Sequence, residues 1–288
     1  AVPRLPLGLQ ALFVNDNCIS SVETSRTPEM VRYRISHNRL EMMPDLYRTS
    51  LKDLSISSNS IQKINLGSIR DSVSNINLSD NCIHEIPLKL FHFTNLLHLN
   101  LSSNYIPLIP ESFSMSNIIS LNLSNNRIVC FPDEFPKSLE CLILCRCGLI
   151  TLPDCITQCY ELVELIVSHN QLSTIPFIEN LTRFIGSSNN FEVLPSLPST
   201  LVDLDVSFNR IRVITDCEFP LLTWGNFSGN PLTLFNLNAP NILSLYLAQT
   251  SITSIQTDLY TSLRHLVYDS PMLPISSPIS IIEGTGFS

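Results

Sequence analysis

Five cysteines crowd one stretch of the chain, Cys141, Cys145, Cys147, Cys155 and Cys159, and their C-x-C and C-x-x-x-C spacings are of the kind that can share a metal ion. The alternation of the surrounding residues argues against such a site. It places Cys141 and Cys145 on an open face, Cys147 in a buried turn, and Cys155 and Cys159 on an outer return segment. No metal or cofactor is therefore expected. Glu164, His169 and Cys145 could be imagined as a base, a shuttle and a nucleophile. Nothing in the pattern orients them, and a sheet surface offers neither oxyanion donors nor a closed pocket, so they read as solvated polar side chains. Five N-x-S/T sequons, at Asn77, Asn100, Asn122, Asn180 and Asn226, complete the inventory. The first three arise from the phrase N-L-S and are read as by-products of a repeated sequence.

A binding surface is a better match to the residues that vary. In the first half of the chain, positions expected to point away from the core are polar: Arg32, Arg34, Asp53, Ser55, Asn75, Asn77, His98, Asn100, Ser120 and Asn122. Further on, the same positions become Ile143, Ile166 and Ile185, flanked by Arg146, Glu164 and Arg183, and then Asp203, Asp205, Phe208, Trp224 and Tyr246. Three neighbouring isoleucines exposed beside the only tryptophan are hard to explain as solvated surface. Tryptophan, tyrosine and arginine are also enriched among residues that dominate binding energy. These eleven residues are the expected partner-binding set, with no catalytic residue and no metal ligand among them.

The elements that must position this surface follow from laying the chain on itself. The frame L-x-x-L-x-L-x-x-N-x-L fits Leu96, Leu99, Leu101, Asn104 and Ile106, then Ile118, Leu121, Leu123, Asn126 and Ile128, then Leu201, Leu204, Val206, Asn209 and Ile211. Its turn position is occupied by Asn17, Asn38, Asn59, Asn81, Asn104, Asn126, Cys147, Asn170, Asn189, Asn209, Asn230, Thr250 and Pro271. The spacing averages about 21 residues, so about 13 repeats are predicted. Within each repeat the L-x-L stretch has the strand period of two, sending its leucines to one face and the residues between them to the other. The asparagine turns the chain out of the strand, and its amide can satisfy backbone groups of its own and the neighbouring turn. Proline recurs on the return side, as in Ile86-Pro87, Ile109-Pro110, Leu152-Pro153 and Ile175-Pro176, which opposes long helices there. Gly186 and Gly225 stand where other repeats carry leucine-like residues, leaving gaps for Phe184, Phe191 and Phe227 to fill.

The frame is similar to that of the leucine-rich-repeat superfamily over about residues 9–273. That resemblance implies an α/β repeat solenoid: a curved leucine-rich-repeat horseshoe with a parallel concave β-sheet and a mostly irregular or 3₁₀ convex side. Residues 1–8 are then a lead-in, 9–275 the repeat domain, and 276–288 a tail or a linker to a further region. Spacing and the L-P return resemble intracellular signalling scaffolds and Ras-binding repeat proteins, whereas Leu194-Pro195-Ser196-Leu197-Pro198 resembles the repeat unit of secreted bacterial effectors. The resemblance implies a protein-interaction module in signalling, with a small GTPase or a phosphoprotein as partner. Two alternatives are a regulatory or targeting module of a larger enzyme, such as a protein phosphatase or cyclase, and a secreted pathogen effector.

Composition narrows the classes. With 44% hydrophobic residues among 288, the chain can bury a continuous core. A formal charge of −8 gives no reason to approach nucleic-acid phosphates or an anionic membrane. No apolar run reaches the length of a membrane span. Nine cysteines, an odd number placed within the repeats, read as reduced thiols of a cytoplasmic protein.

Overall fold

A computed structural model of the chain describes residues 5–23, 27–46, 49–66, 69, 71–253, 255, 259–268 and 280–283. The chain divides into two compact units, Ala1–Cys147 and Gly148–Ser288, with the boundary falling where the asparagine ladder carries a cysteine.

The first unit is a stack of three-residue parallel strands, one per repeat. They are β1 (Ala11–Phe13), β2 (Arg32–Arg34), β3 (Asp53–Ser55), β4 (Asn75–Asn77), β5 (His98–Asn100), β6 (Ser120–Asn122) and β7 (Cys141–Ile143). Each pairs with the next in unbroken register, so that Tyr33, Leu54, Ile76, Leu99, Leu121 and Leu142 form one buried row. The residues on either side of each buried one face outward, as the period of two requires. On the return side three repeats contribute Phe91, Phe113 and Phe135, whose ring centroids lie 5.2 and 5.8 Å apart. Two of these rings sit in or on short 3₁₀ turns, Leu88–His92 and Glu111–Met115, each entered directly after a proline. Proline's fixed φ starts the turn, and its missing N–H is not needed there.

The second unit repeats the pattern with β8 (Glu164–Ile166), β9 (Arg183–Ile185), β10 (Asp203–Asp205), β12 (Trp224–Asn226), β14 (Ser244–Leu247), β15 (His265–Tyr268) and β16 (Ser280–Glu283), paired in parallel. Here the buried row reads Leu165, Phe184, Leu204, Gly225, Leu245 and Leu266. The two glycines leave no void. A Cβ on Gly186 would lie 2.7 Å from the Phe184 ring and 2.9 Å from Phe191, and one on Gly225 would lie 2.9 Å from Phe227. The return side of this unit is more regular than the prolines suggest, because β11 (Val213–Glu218) pairs with β13 (Leu234–Asn238) as a second, two-stranded parallel sheet. One further 3₁₀ turn, Asp154–Gln158, follows Pro153. β16 lies within the stretch read above as a tail, while Pro271 falls outside the described residues.

The asparagines do the structural work expected of them. Asn104 donates from Nδ2 to the carbonyls of Leu78, Leu101 and Ser102 at 3.0, 3.0 and 3.1 Å, and its Oδ1 accepts from the Ile83 N–H of the preceding repeat at 2.9 Å. Asn81 and Asn126 in the first unit and Asn209 and Asn230 in the second make the same kind of set. Thr250, which stands in this column without an amide, retains one bond, from Oγ1 to the Leu247 carbonyl at 2.9 Å. Among the described residues, the one before each marker takes positive φ, from Asp16 at 58° to Gln249 at 55°. That column holds Asp, His, Ser, Asn, Arg, Gln and Gly, but also Phe208.

Candidate functional site

The face of a strand that looks away from the core is set by alternation, so the site is built from two columns of side chains. In the second unit the first column runs Glu164, Arg183, Asp203, Trp224, Ser244 and His265, and the second runs Ile166, Ile185, Asp205, Asn226, Tyr246 and Val267. Glu164, Ile166, Ile185, Asp203, Asp205, Trp224 and Tyr246 are half-buried, while Arg183 is exposed. Parallel strands lie ~4.8 Å apart, so side chains on adjacent strands of a column are in contact range.

Three kinds of surface follow one another along this face. Ile166 and Ile185 are register partners and form an apolar step. Beside them the Arg183 Nη1 and Glu164 Oε1 form an ion pair at 3.2 Å, which cancels both charges. Next come Asp203 and Asp205 on one strand, facing Trp224 and Asn226 on the next. The aromatic pair completes the sequence: Trp224 and Tyr246 have centroids 5.6 Å apart and ring planes inclined at 50°. The isoleucines, expected from the sequence to lie beside the tryptophan, do not adjoin it; a strand carrying two aspartates separates them.

Two of the expected residues stand elsewhere. Arg146 and Phe208 occupy the positive-φ turn column, with φ of 55° and 53°, and not the strand face. The reason is local: each is the residue immediately before the ladder position, where the chain reverses out of the strand. Phe208 is 55% exposed, and its ring lies across Gly229, where a Cβ would come within 2.5 Å of it. Ile143 belongs to β7, the last strand of the first unit, in register with Asn122.

The first unit's outward face is polar, as its sequence implies. Arg34 and Asp53 form an ion pair at 2.6 Å, with the Arg34 guanidinium 5.7 Å from the Phe13 ring centroid. A shallow depression of about 280 Å³ is lined by residues including Asp53, Asn77, His98, Asn100 and Asn122. Asn77, Asn100 and Asn122 each accept, through Oδ1, the backbone N–H of the serine two residues on. These sequon asparagines thus have a turn-forming role.

All nine cysteines are thiols, and among the described residues no group of three or more His, Cys, Asp or Glu side chains could hold a metal ion. Burial pushes the Cys147 thiol up to about 11 and the Cys159 thiol up to about 12, the reverse of what a nucleophile needs. His169 stands in the turn column at φ 57°, and Glu164 is engaged with Arg183. No helix among the described residues is long and apolar enough to cross a membrane.

Comparison with known proteins agrees with this architecture. The family model described as Leucine Rich Repeat matches residues 95–115 and 117–137. Toll-like receptor 2 of Macaca mulatta is 30% identical over 105 residues, which span 33% of this chain and 13% of the receptor, so the match covers a small part of that protein. Lumican of Coturnix japonica is 24% identical over 269 residues, covering 81% of this chain and 71% of lumican. Among solved structures, the leucine-rich effector protein YopM of Yersinia pestis superposes with a TM-score of 0.76 at 18% identity, over 98% of this chain and 79% of YopM. At that identity the likeness speaks for the fold alone.

Proposed function

We propose that the chain, which has the fold of a leucine-rich-repeat solenoid with repeats of about 21 residues, binds a protein partner through the outward sheet face of its second unit. Domains of this fold are generally interaction modules, and an apolar step followed by an aromatic pair suits binding better than catalysis. The observation that carries the reading is the aromatic pair Trp224 and Tyr246, half-exposed on a strand face where packing demands neither ring. Large rigid aromatics supply contact area at small entropic cost and are common among residues that dominate binding. Ile166 and Ile185 add an apolar step whose burial is worth ~1.5–3 kcal/mol per side chain. A folded signalling protein such as a small GTPase is the partner that the scaffold resemblance implies. The cytoplasmic setting proposed with it rests on the nine thiols.

Ile166→Asp and Trp224→Ala should each weaken binding of a captured partner at least tenfold, about 1.4 kcal/mol, while leaving the melting temperature nearly unchanged. Ser55→Ala and Asn100→Ala, on the polar face of the first unit, should leave it intact. Binding that survives both second-unit changes, or is lost with the first-unit changes, refutes the assignment.

A further inference from the structure

The charge on β10 calls for an explanation that the fold does not supply. Asp205 Oδ1 accepts the Ser207 backbone N–H at 2.9 Å. Asn77, Asn100, Asn122 and Asn226 hold the equivalent strand position in other repeats and make the same bond to the following serine, at 2.9 to 3.1 Å. A neutral asparagine is therefore sufficient for the turn, and the negative charge of Asp205 is additional to it. Asp203, on the same strand and the same face, adds a second. Neither carboxylate has a cation within ion-pair distance among the described residues, and the nearest basic column neighbour, Arg183, is engaged with Glu164. Two uncompensated carboxylates on adjacent outward positions repel each other in the unbound protein.

Their neighbours identify what would compensate them. Asp203 is the register partner of Trp224, and Asp205 is the register partner of Asn226, which in turn pairs with Tyr246. The two rings are inclined at 50°, so neither fully covers the π face of the other. A guanidinium is the one common side-chain group that both lies flat on an aromatic face and forks to a carboxylate.

Building on the proposed use of this face, we infer that Trp224, Tyr246, Asp203 and Asp205 together receive an arginine side chain of the partner, its guanidinium over the rings and its N–H groups toward the carboxylates. The surface accordingly selects a basic segment, and a phosphorylated segment would meet repulsion at this point.

Trp224 is the only tryptophan of the chain, so its fluorescence reports on this site without labelling. The intact chain would be titrated with the synthetic peptide acetyl-Gly-Arg-Gly-Arg-Gly-amide and with the same peptide carrying citrulline, the neutral isostere, in place of arginine. A saturable change in Trp224 emission is expected with arginine, at least tenfold weaker with citrulline and suppressed by 0.5 M salt. Asp205→Asn should preserve the turn bond, since asparagine makes it in four other repeats, and Asp203→Asn/Asp205→Asn together should weaken the arginine peptide at least tenfold with an unchanged circular dichroism spectrum. Equal binding of the two peptides, no saturable change with arginine, or indifference to the double substitution would overturn the inference. If that happens while Ile166→Asp still abolishes partner capture, the face binds a partner without an arginine anchor; if capture is also unaffected, the choice of face is wrong as well.

Discussion

Replacing Asn104 by alanine tests the load carried by the ladder. Asn104 is 5% exposed; its two Nδ2 hydrogens are shared among three carbonyls of two repeats, and its Oδ1 accepts from the Ile83 N–H. An average protein hydrogen bond contributes ~1 kcal/mol net, and a buried donor stranded by loss of its partner costs ~1–3 kcal/mol. Alanine removes these bonds and strands the Ile83 amide beneath side chains that exclude water. The expected destabilisation is therefore about 3–4 kcal/mol, at the upper end for a single substitution. Urea denaturation followed by circular dichroism measures it, and hydrogen exchange should locate the loss in the repeats that contain Ile83 and Asn104, because a solenoid's stability is a sum of local terms. The reverse substitution is the internal control. At 1% exposure, Cys147 fills the same column with weak sulfur contacts, among them those to the carbonyls of Leu123 and Cys145 at 3.3 and 3.5 Å. Cys147→Asn would offer the Ile128 N–H the acceptor that Asn126 offers Ile106, and should stabilise by about 1 kcal/mol. A loss below about 1 kcal/mol for Asn104→Ala, or destabilisation by Cys147→Asn, would refute the view that the amide ladder ties one repeat to the next.

Two further outcomes follow from backbone strain and from titration. Phe208→Asn should raise stability by about 1 kcal/mol, since asparagine tolerates the left-handed conformation that a bulky ring resists, and a fall in the denaturation midpoint would show that the ring's packing on Gly229 outweighs its strain. Burial raises Cys147, Cys159 and Tyr260 above their ordinary values, to about 11, 12 and 12, so the unfolded chain loses these protons first as pH rises. Stability should be unaffected by them below about pH 9, decline through pH 9–12, and show a reduced decline in Cys147→Ser/Cys159→Ser; a flat profile above pH 9 would contradict the buried, protonated state.

The repeat, its strand direction and its ladder were all legible in the residues. A spacing of about 21 with leucines at alternate positions admits one short strand per repeat, and an asparagine at the turn is the side chain whose donors and acceptor match the backbone groups left open there. The polar first-unit face and the inward row from Tyr33 to Leu142 follow from the same alternation, because a shift of one residue would expose every leucine. So does the filling of Gly186 and Gly225 by nearby phenylalanines, since a missing side chain in a packed row has to be replaced by a neighbour.

What the sequence could not supply was the contacts within the site, because periodicity and repeat order say which face and which strand a residue occupies but not which side chains meet. Repeat order already puts Asp203 and Asp205 between the isoleucines and the aromatic pair, whereas only the tertiary structure showed that Glu164 spends its charge on Arg183 and that the Trp224 and Tyr246 rings touch. Arg146 and Phe208 follow the strand closely in sequence and so read as part of its face; the reversal to positive φ before the ladder residue carries them off it. The second sheet, β11 with β13, was hidden for a related reason. Its pairing depends on backbone groups of two consecutive repeats coming within hydrogen-bonding distance on the return side, which is fixed by how the repeats pack and not by the side chains of either strand alone.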